Sequence, residues 1–181
     1  ILVTMKSRIL IILLLAISFR LCAQDSEILG DNVLRFYRLA IPVTKSAYEE
    51  DLDCDYNNVL AFWRECEDYV NNLYVPLGFC FDVIEDEKLV LHEHGMIDEN
   101  VYNAPSLGTE LLNELIPSTA YDIGMWVTHR DDYEENSGLS VENGAYLNST
   151  KASGYAKTDK WVVAHEIGHL LGANHTPPGE G

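Results

Sequence analysis

The sequence predicts a mixed α/β (α+β) fold in which a twisted sheet packs against two main helices. Hydrophobic residues make up 47% and charged residues 23% of the 181 residues, a composition typical of a globular chain with a buried core. Short runs of aliphatic and aromatic residues alternate with longer stretches whose apolar residues recur at helical spacing. Residues 24–181 contain neither a repeat nor a low-complexity linker, which predicts one domain over this range.

The first half of this domain is expected to contain three strands and one long helix. The run at 33–43 predicts a strand, because aliphatic and aromatic side chains fit a pleated sheet. Residues 57–73 predict a helix, since their apolar residues return every three or four positions; these are Val59, Leu60, Trp63, Cys66, Val70 and Leu73. The runs at 76–84 and, more weakly, 88–93 predict two further strands.

The second half is expected to alternate short helices and strands. Residues 107–115 predict a short helix, and the aliphatic and aromatic run at 121–129 predicts a strand. The glycine-punctuated stretch 137–149 accommodates a short edge strand near Leu139.

A final helix is predicted from Lys160 to Leu171. Thr158 or Asp159 can cap its first turn through a side-chain oxygen. Gly172 and then Pro177-Pro178 are helix stop signals, so the last helix is expected to end at Leu171.

Residues 5–23 are interpreted as a secretory signal peptide that follows four upstream residues. A basic start at Met5–Arg8 precedes an unbroken apolar run, Ile9–Phe19, and a small-residue cleavage motif at 21–23. A membrane anchor is the alternative, but this run is shorter than the roughly 20 residues that a spanning helix needs. We therefore expect a secreted protein, extracellular or held in a periplasm or at a cell surface, without stable membrane insertion.

The net charge of the chain is −17, from 12 Lys and Arg residues against 29 Asp and Glu residues. Nucleic acids and anionic membranes attract basic surfaces, so this balance argues against both as partners. We expect no nucleic-acid partner, and we expect a monomer.

Three cysteines remain after removal of the predicted signal peptide: Cys54, Cys66 and Cys80. An exported protein can form disulfides, so one pair among the three is compatible with the sequence. Cys66 also lies in the apolar stripe of the predicted helix 57–73, so buried free thiols are the alternative.

The segment HEIGHLLGANH, residues 165–175, contains three histidines at informative intervals. In a helix, His165 and His169 lie one turn apart on the same face, so both imidazoles can reach one point. A continued helix would place His175 about 240° around the axis and roughly 9 Å further along it. The chain must therefore turn, and Gly172 can adopt the left-handed conformation that ends a helix and returns His175 to the other two.

This arrangement predicts one catalytic Zn²⁺. Three imidazoles with a fourth position left for water are typical of catalytic zinc, whereas structural zinc sites are usually closed by four protein ligands. Glu166 follows the first histidine and is expected beside that water, where its carboxylate can accept a proton. The pattern therefore predicts hydrolysis of a polarised carbonyl group.

The segment matches H-E-x-x-H-x-x-G-x-x-H and resembles the metzincin zinc endopeptidases, most closely the reprolysin-like or related bacterial secreted members. The resemblance implies that His165, His169 and His175 are zinc ligands, that Glu166 is the general base and that Gly172 is the turn residue. It also implies a zincin N-terminal subdomain whose last helix carries the ligands.

Two further expectations follow from the resemblance, and one residue departs from it. Reprolysins carry Asp after the third histidine, whereas this chain has Thr176. The methionine-containing turn of the family is expected beyond Gly181, so residues 24–181 are expected to be a truncated catalytic domain that can be inactive alone. In the family, substrate extends along an edge strand, and Gly138, Leu139 and Ser140 are the candidate substrate-binding residues.

The function that these observations predict is secreted, zinc-dependent endoproteolysis of a protein or peptide substrate. A catalytically inactive zinc-containing binding module and a zinc hydrolase of a non-peptide substrate are the alternatives. Four acidic residues are expected to form a solvated loop, with a calcium site in that loop as the alternative; they are Asp131, Asp132, Glu134 and Glu135.

Overall fold

The computed structural model describes residues 33–129 and 137–175. Their helices are α1 (Lys45–Glu50), α2 (Tyr56–Tyr74), α3 (Met96–Glu99), α4 (Ala104–Leu115) and α5 (Lys160–Leu170). Their strands are β1 (Arg35–Ala40), β2 (Phe79–Val83), β3 (Ile123–Gly124), β4 (Trp126–Thr128), β5 (Gly138–Ser140) and β6 (Gly154–Lys157). Short 3₁₀ turns lie at Val75–Leu77, Glu87–Leu89, Val101–Asn103 and Gly144–Tyr146.

The strands form two three-stranded sheets that are nearly continuous. The first has the order β2-β1-β3 and is parallel, and the second has the order β4-β6-β5, with β5 antiparallel to β6. Between the two sheets, the N–H of Met125, which joins β3 to β4, donates to the Ala40 carbonyl, and the Val127 N–H of β4 donates to the Pro42 carbonyl, both at 2.9 Å. The predicted mixed α/β class is confirmed, but the described residues form two small sheets instead of one, and α4, with 12 residues, is as long as α5, with 11.

Helix α2 packs its apolar stripe against the sheet, as the helical spacing predicted. Val59, Trp63, Cys66 and Val70 are fully buried, and the Trp63 indole N–H donates to the Ile41 carbonyl at 2.9 Å. Burial of large apolar side chains is the main favourable term in folding, so these four side chains hold α2 on the sheet. Helix α2 also packs against α5, so the last helix is supported by α2.

Two predicted strands in the first half of the domain differ from the structure. The strand predicted over 33–43 ends at Ala40, because Pro42 lacks an N–H and Thr44 caps α1, a helix that the pattern did not predict. The strand predicted over 88–93 is wrong. Residues 87–89 form a 3₁₀ turn capped by the Asp86 side chain, and Val90 contributes a single bridge to Val43.

The second half also contains one correction and one omission. The strand predicted over 121–129 is divided at Met125 into β3 and β4, which belong to different sheets. Strand β6 was not predicted, although it is the central strand of its sheet. The predicted short edge strand near Leu139 is present as β5.

Cys54 and Cys66 are free thiols and Cys80 is disulfide-bonded, so no disulfide joins two of these three cysteines, which was one of the two alternatives that the sequence left open. Burial raises the pKa of the Cys66 thiol far above its ordinary value, which keeps the group protonated. Cys66 therefore acts as a small apolar residue on the buried face of α2.

The predicted signal peptide, residues 5–23, lies outside the described residues. Within the two described ranges, no helix has the length and apolar character needed to cross a membrane.

Candidate metal centre

Helix α5 begins and ends through interactions that its sequence encodes. The Asp159 side chain accepts a hydrogen bond from the Trp161 N–H at 2.8 Å and caps the first turn. At the other end, the Ala173 N–H donates to the Gly168 carbonyl and the Gly172 N–H donates to the His169 carbonyl. This pair of bonds is typical of a Schellman motif, which closes the helix and redirects the chain.

Gly172 has a φ of +98°, in the region that favours glycine. A Cβ atom at this position would also overlap the Asn143 side chain. The turn reverses the chain within three residues of the helix, so His175 lies beside His165 and His169 instead of a turn and a half further along.

A second glycine sets the depth at which α5 packs. A Cβ atom on Gly168 would lie 2.8 Å from the Tyr74 hydroxyl oxygen. That hydroxyl donates to the Ala164 carbonyl at 2.8 Å and ties α5 to the end of α2. Close helix packing therefore fixes the helix that carries the first two histidines.

The three histidines converge on one point through their Nε2 atoms. The Nε2–Nε2 distances are 3.1 Å for His165–His169, 3.0 Å for His169–His175 and 3.0 Å for His165–His175. Zinc–nitrogen bonds of about 2.0–2.1 Å at tetrahedral angles require nitrogens about 3.3 Å apart, so the triangle fits zinc within a few tenths of an ångström. Three Nε2 atoms at such distances could hold a metal ion through their lone pairs when the rings are neutral.

A hydrogen bond on the far side of one ring makes its Nε2 available. His169 Nδ1 lies 2.6 Å from the Ala173 carbonyl oxygen, which can only accept, so Nδ1 carries the proton. In the neutral ring Nε2 then presents its lone pair to the other two histidines. A ring N–H donated to a carbonyl is the arrangement that orients most metal-binding histidines.

The environment of His165 favours the neutral imidazole. Burial lowers the pKa of His165, and the neighbouring His169 and His175 lower it further. A neutral ring is the form that binds a metal ion, so the site is suited to a cation near neutral pH.

Glu166 is buried between strand β5 and the histidine triangle, close to Ser140 and His169. It is 4% exposed, and its Oε2 atom makes no hydrogen bond to any described residue. Burial raises the pKa of Glu166, whereas the nearby Ser140 hydroxyl and His169 oppose the rise. The Ser140 Oγ has no hydrogen-bond partner among the described residues, and Glu166 Oε2 retains capacity for another group.

Strand β5 lies directly against Glu166. A Cβ atom on Gly138 would stand 2.7 Å from Glu166 Cγ and 2.8 Å from Glu166 Oε1, so only glycine leaves room for the carboxylate. Leu139 points the other way and is 43% exposed. The structure thus brings the predicted strand residues, Gly138, Leu139 and Ser140, next to the predicted general base.

Two further residues of this site were not predicted from the sequence. Glu142 and Asn143 follow β5 and contact the turn around Gly172. The dipeptide Asn143-Gly144 is a turn signal that could have indicated Asn143, whereas nothing local indicates Glu142.

The predicted solvated acidic loop, for which a calcium site was the alternative, lies outside the described residues, as does Thr176; its residues are Asp131, Asp132, Glu134 and Glu135. Among residues 33–129 and 137–175, the three histidines are the one group of three or more metal-binding side chains that converge.

A family model for the metallopeptidase family M12B, reprolysin-like, matches residues 70–176. The matched range contains β5, α5 and all three histidines. A search of curated proteins returned no significant match.

Proposed function

The chain belongs to the reprolysin-like M12B metallopeptidase family, and from this premise we propose that it is a secreted zinc endopeptidase with Glu166 as general base. Membership supports a zinc metalloprotease function. The observation that carries the rest of the proposal is the triangle of three Nε2 atoms, 3.0–3.1 Å apart, beside a buried carboxylate.

In this proposal His165, His169 and His175 hold the zinc ion through Nε2. When bound, zinc supplies Lewis acidity that polarises a peptide carbonyl and makes water more acidic. Glu166 takes a proton from the attacking water on its free carboxylate oxygen and passes it to the amine nitrogen of the leaving peptide. Burial, which raises the pKa of Glu166, makes this carboxylate a stronger base.

Substrate is proposed to bind along β5 as an added strand. Within the described sheets β5 pairs with β6 alone, so its other side is available for backbone hydrogen bonds. Gly138 and Ser140 sit nearest Glu166, and the exposed Leu139 side chain offers an apolar contact to a peptide side chain. A bound peptide would then lie within reach of the base.

Secretion, the monomeric state and the assignment of residues 24–181 to the N-terminal part of a catalytic domain remain part of the proposal. The pattern of residues 5–23 supports export, because a basic start, an apolar run and small residues follow in order.

The direct test replaces Glu166 by Gln in the full-length protein. We expect the variant to retain zinc, measured by metal analysis, while peptide cleavage falls by about 10²–10⁴-fold. Glu110→Gln, at an exposed position of α4, is the matched control and is expected to cleave like the wild type. Equal cleavage by Glu166→Gln would reject the assigned base.

Profiling the wild type with a peptide library separates the remaining possibilities. Cleavage at internal bonds supports the endopeptidase. A zinc-loaded wild type that binds peptides without cleaving them indicates the binding module, and turnover of non-peptide esters or amides alone indicates the other hydrolase.

A further inference from the structure

The segment after β5 contacts the turn that carries the third histidine. We call residues 141–147 the clasp loop. The Asn143 N–H donates to the His169 carbonyl at 3.0 Å, which is the carbonyl that also accepts from Gly172. The Tyr146 hydroxyl donates to the Leu171 carbonyl at 3.3 Å. The clasp loop thus binds the end of α5, where helix carbonyls lack partners within the helix.

One contact of the clasp loop reaches the residue next to a histidine of the triangle. The Asn174 side-chain amide donates to Glu142 Oε1 at 3.0 Å, and Asn174 immediately precedes His175. The Asn143 amide lies 3.4 Å from the same carboxylate oxygen. Hydrogen bonds to a charged carboxylate are stronger than those between neutral groups.

The backbone of the clasp loop is shaped for this contact. Asn143 has a φ of +60°, a conformation that asparagine tolerates better than most residues. Its side chain lies against Gly172, where any Cβ atom would overlap it. Asn143 and Gly172, which both have a left-handed backbone conformation, therefore lie against one another. This arrangement places the Glu142 carboxylate within hydrogen-bond distance of Asn174.

Within residues 33–129 and 137–175, His175 has no support comparable with that of His165 and His169. His165 and His169 are carried by α5, whereas His175 follows the turn in an exposed stretch with no regular secondary structure. An imidazole on such a stretch loses rotational freedom when it joins the triangle, and this loss weakens metal binding unless another contact restrains it.

We propose that Glu142 is a positioning residue for the metal centre: its carboxylate holds Asn174, so that the adjacent His175 imidazole stays directed at His165 and His169. This inference rests on the proposed zinc function and extends it to a residue 23 positions before the first histidine. Because Glu142 is two residues beyond Ser140, the proposed substrate strand and the third ligand are restrained by one continuous segment.

The test measures zinc binding and not proteolysis. Full-length wild type, Glu142→Ala, Asn174→Ala and the double variant compete with a chelating indicator for zinc. We expect each single variant to lose about tenfold in zinc affinity. The double variant should lose little more, because the two substitutions remove the same hydrogen bond. Glu142→Gln keeps an acceptor oxygen for Asn174 and is expected to restore most of the affinity.

Two controls distinguish positioning from general stabilisation. Glu110→Ala removes an exposed carboxylate elsewhere and is expected to bind zinc like the wild type. Melting temperatures of the metal-free variants should equal that of the metal-free wild type. The visible spectrum of the cobalt-substituted Glu142→Ala protein should differ from that of the wild type, because the His175 nitrogen is held less firmly.

The outcomes separate this inference from the proposed function. Wild-type affinity in both alanine variants, or a lower metal-free melting temperature with unchanged affinity, overturns the role of Glu142 and leaves the proposed function intact. A wild type that binds no zinc overturns both.

Discussion

Burial shifts two neighbouring side chains of the site in opposite directions. It lowers the pKa of His165 and raises the pKa of Glu166, because a poorly solvated environment disfavours the charged form of each group. The neutral imidazole is the metal-binding form, and the less solvated carboxylate is the stronger base. One physical cause therefore prepares both residues for the roles proposed for them.

Gly138 offers a prediction at the residue scale. A methyl group there would meet Glu166 Cγ at 2.7 Å and the Tyr155 carbonyl at 2.8 Å, and the carbonyl belongs to the backbone of β6. We expect Gly138→Ala to displace the carboxylate by a few tenths of an ångström to about 1 Å and to reduce peptide cleavage by up to about 10²-fold. Zinc content should stay at the wild-type value.

Gly95→Ala is the matched control for this substitution. Its Cβ atom would stand 3.7 Å from Leu91 Cδ2, an ordinary contact, and Gly95 is far in sequence from His165, His169 and His175. If Gly138→Ala cleaves peptide like the wild type, the position of the Glu166 carboxylate does not depend on glycine at residue 138.

At the scale of elements, the outer edge of β2 is completed by a helix. The Asn71 side chain of α2 donates to the Phe81 carbonyl at 2.8 Å and accepts from the Phe81 N–H at 2.7 Å. Glu67 accepts from the Val83 N–H at 2.9 Å. Among the described residues β2 has β1 as its strand neighbour on one side, and these α2 side chains make the backbone hydrogen bonds on the other, which protects the edge from pairing with another chain.

This edge supplies a prediction about stability. Asn71→Ala would leave the Phe81 N–H and carbonyl without partners, so we expect the free energy of unfolding to fall by about 1–3 kcal/mol. Urea unfolding of the two proteins measures the difference. Asn72→Ala, one residue away on the exposed side of α2, should change stability by less than about 0.5 kcal/mol. Equal effects of the two substitutions would contradict the role assigned to Asn71.

At the scale of the whole molecule, a charged pair joins the first strand to the segment that enters the third. Arg38 Nε and Nη2 donate to the two Asp122 oxygens at 3.0 and 2.8 Å, and Arg38 Nη1 donates to the Thr119 carbonyl at 2.7 Å. The hydrogen bonds from the Arg38 side chain hold the pKa of Asp122 below its ordinary value. The pair therefore ties two segments more than 80 residues apart in the chain.

The lowered pKa of Asp122 makes stability depend on pH in a defined direction. The charged carboxylate stabilises the folded chain fully above the unfolded pKa of about 3.9, and this contribution is lost as the pH falls through the lower folded pKa. Wild type should therefore exceed Asp122→Asn in stability near neutral pH, and the gap should close in acid. We expect a gap of at most about 1 kcal/mol, because the pair is partly exposed.

Denaturant unfolding at several pH values checks this prediction. Asp68→Asn, at an exposed position of α2, controls for the loss of one negative charge in a chain of net charge −17. A gap between wild type and Asp122→Asn that widens in acid would contradict the assignment.

The sequence by itself determined the mixed α/β class, the long helix α2, the last helix and the spacing of its histidines. These features depend on residues within about one or two helical turns of each other, so periodicity and stop signals report them directly. The short strand β5 was also accessible, because it lies in the glycine-punctuated stretch 137–149 and begins at Gly138. Family membership then agreed with the resemblance that the histidine spacing indicated.

Only the tertiary structure decided the central position of β6, the division of 121–129 between two sheets, and the contacts of Glu142 and Gly138. Strand β6, with the sequence GYAK, is short and has little alternation, so it becomes a strand through pairing with β4 and β5. The link between Glu142 and Asn174 spans 32 residues. Hydrogen bonds and close contacts between distant segments depend on how the chain packs, and local residue patterns do not encode them.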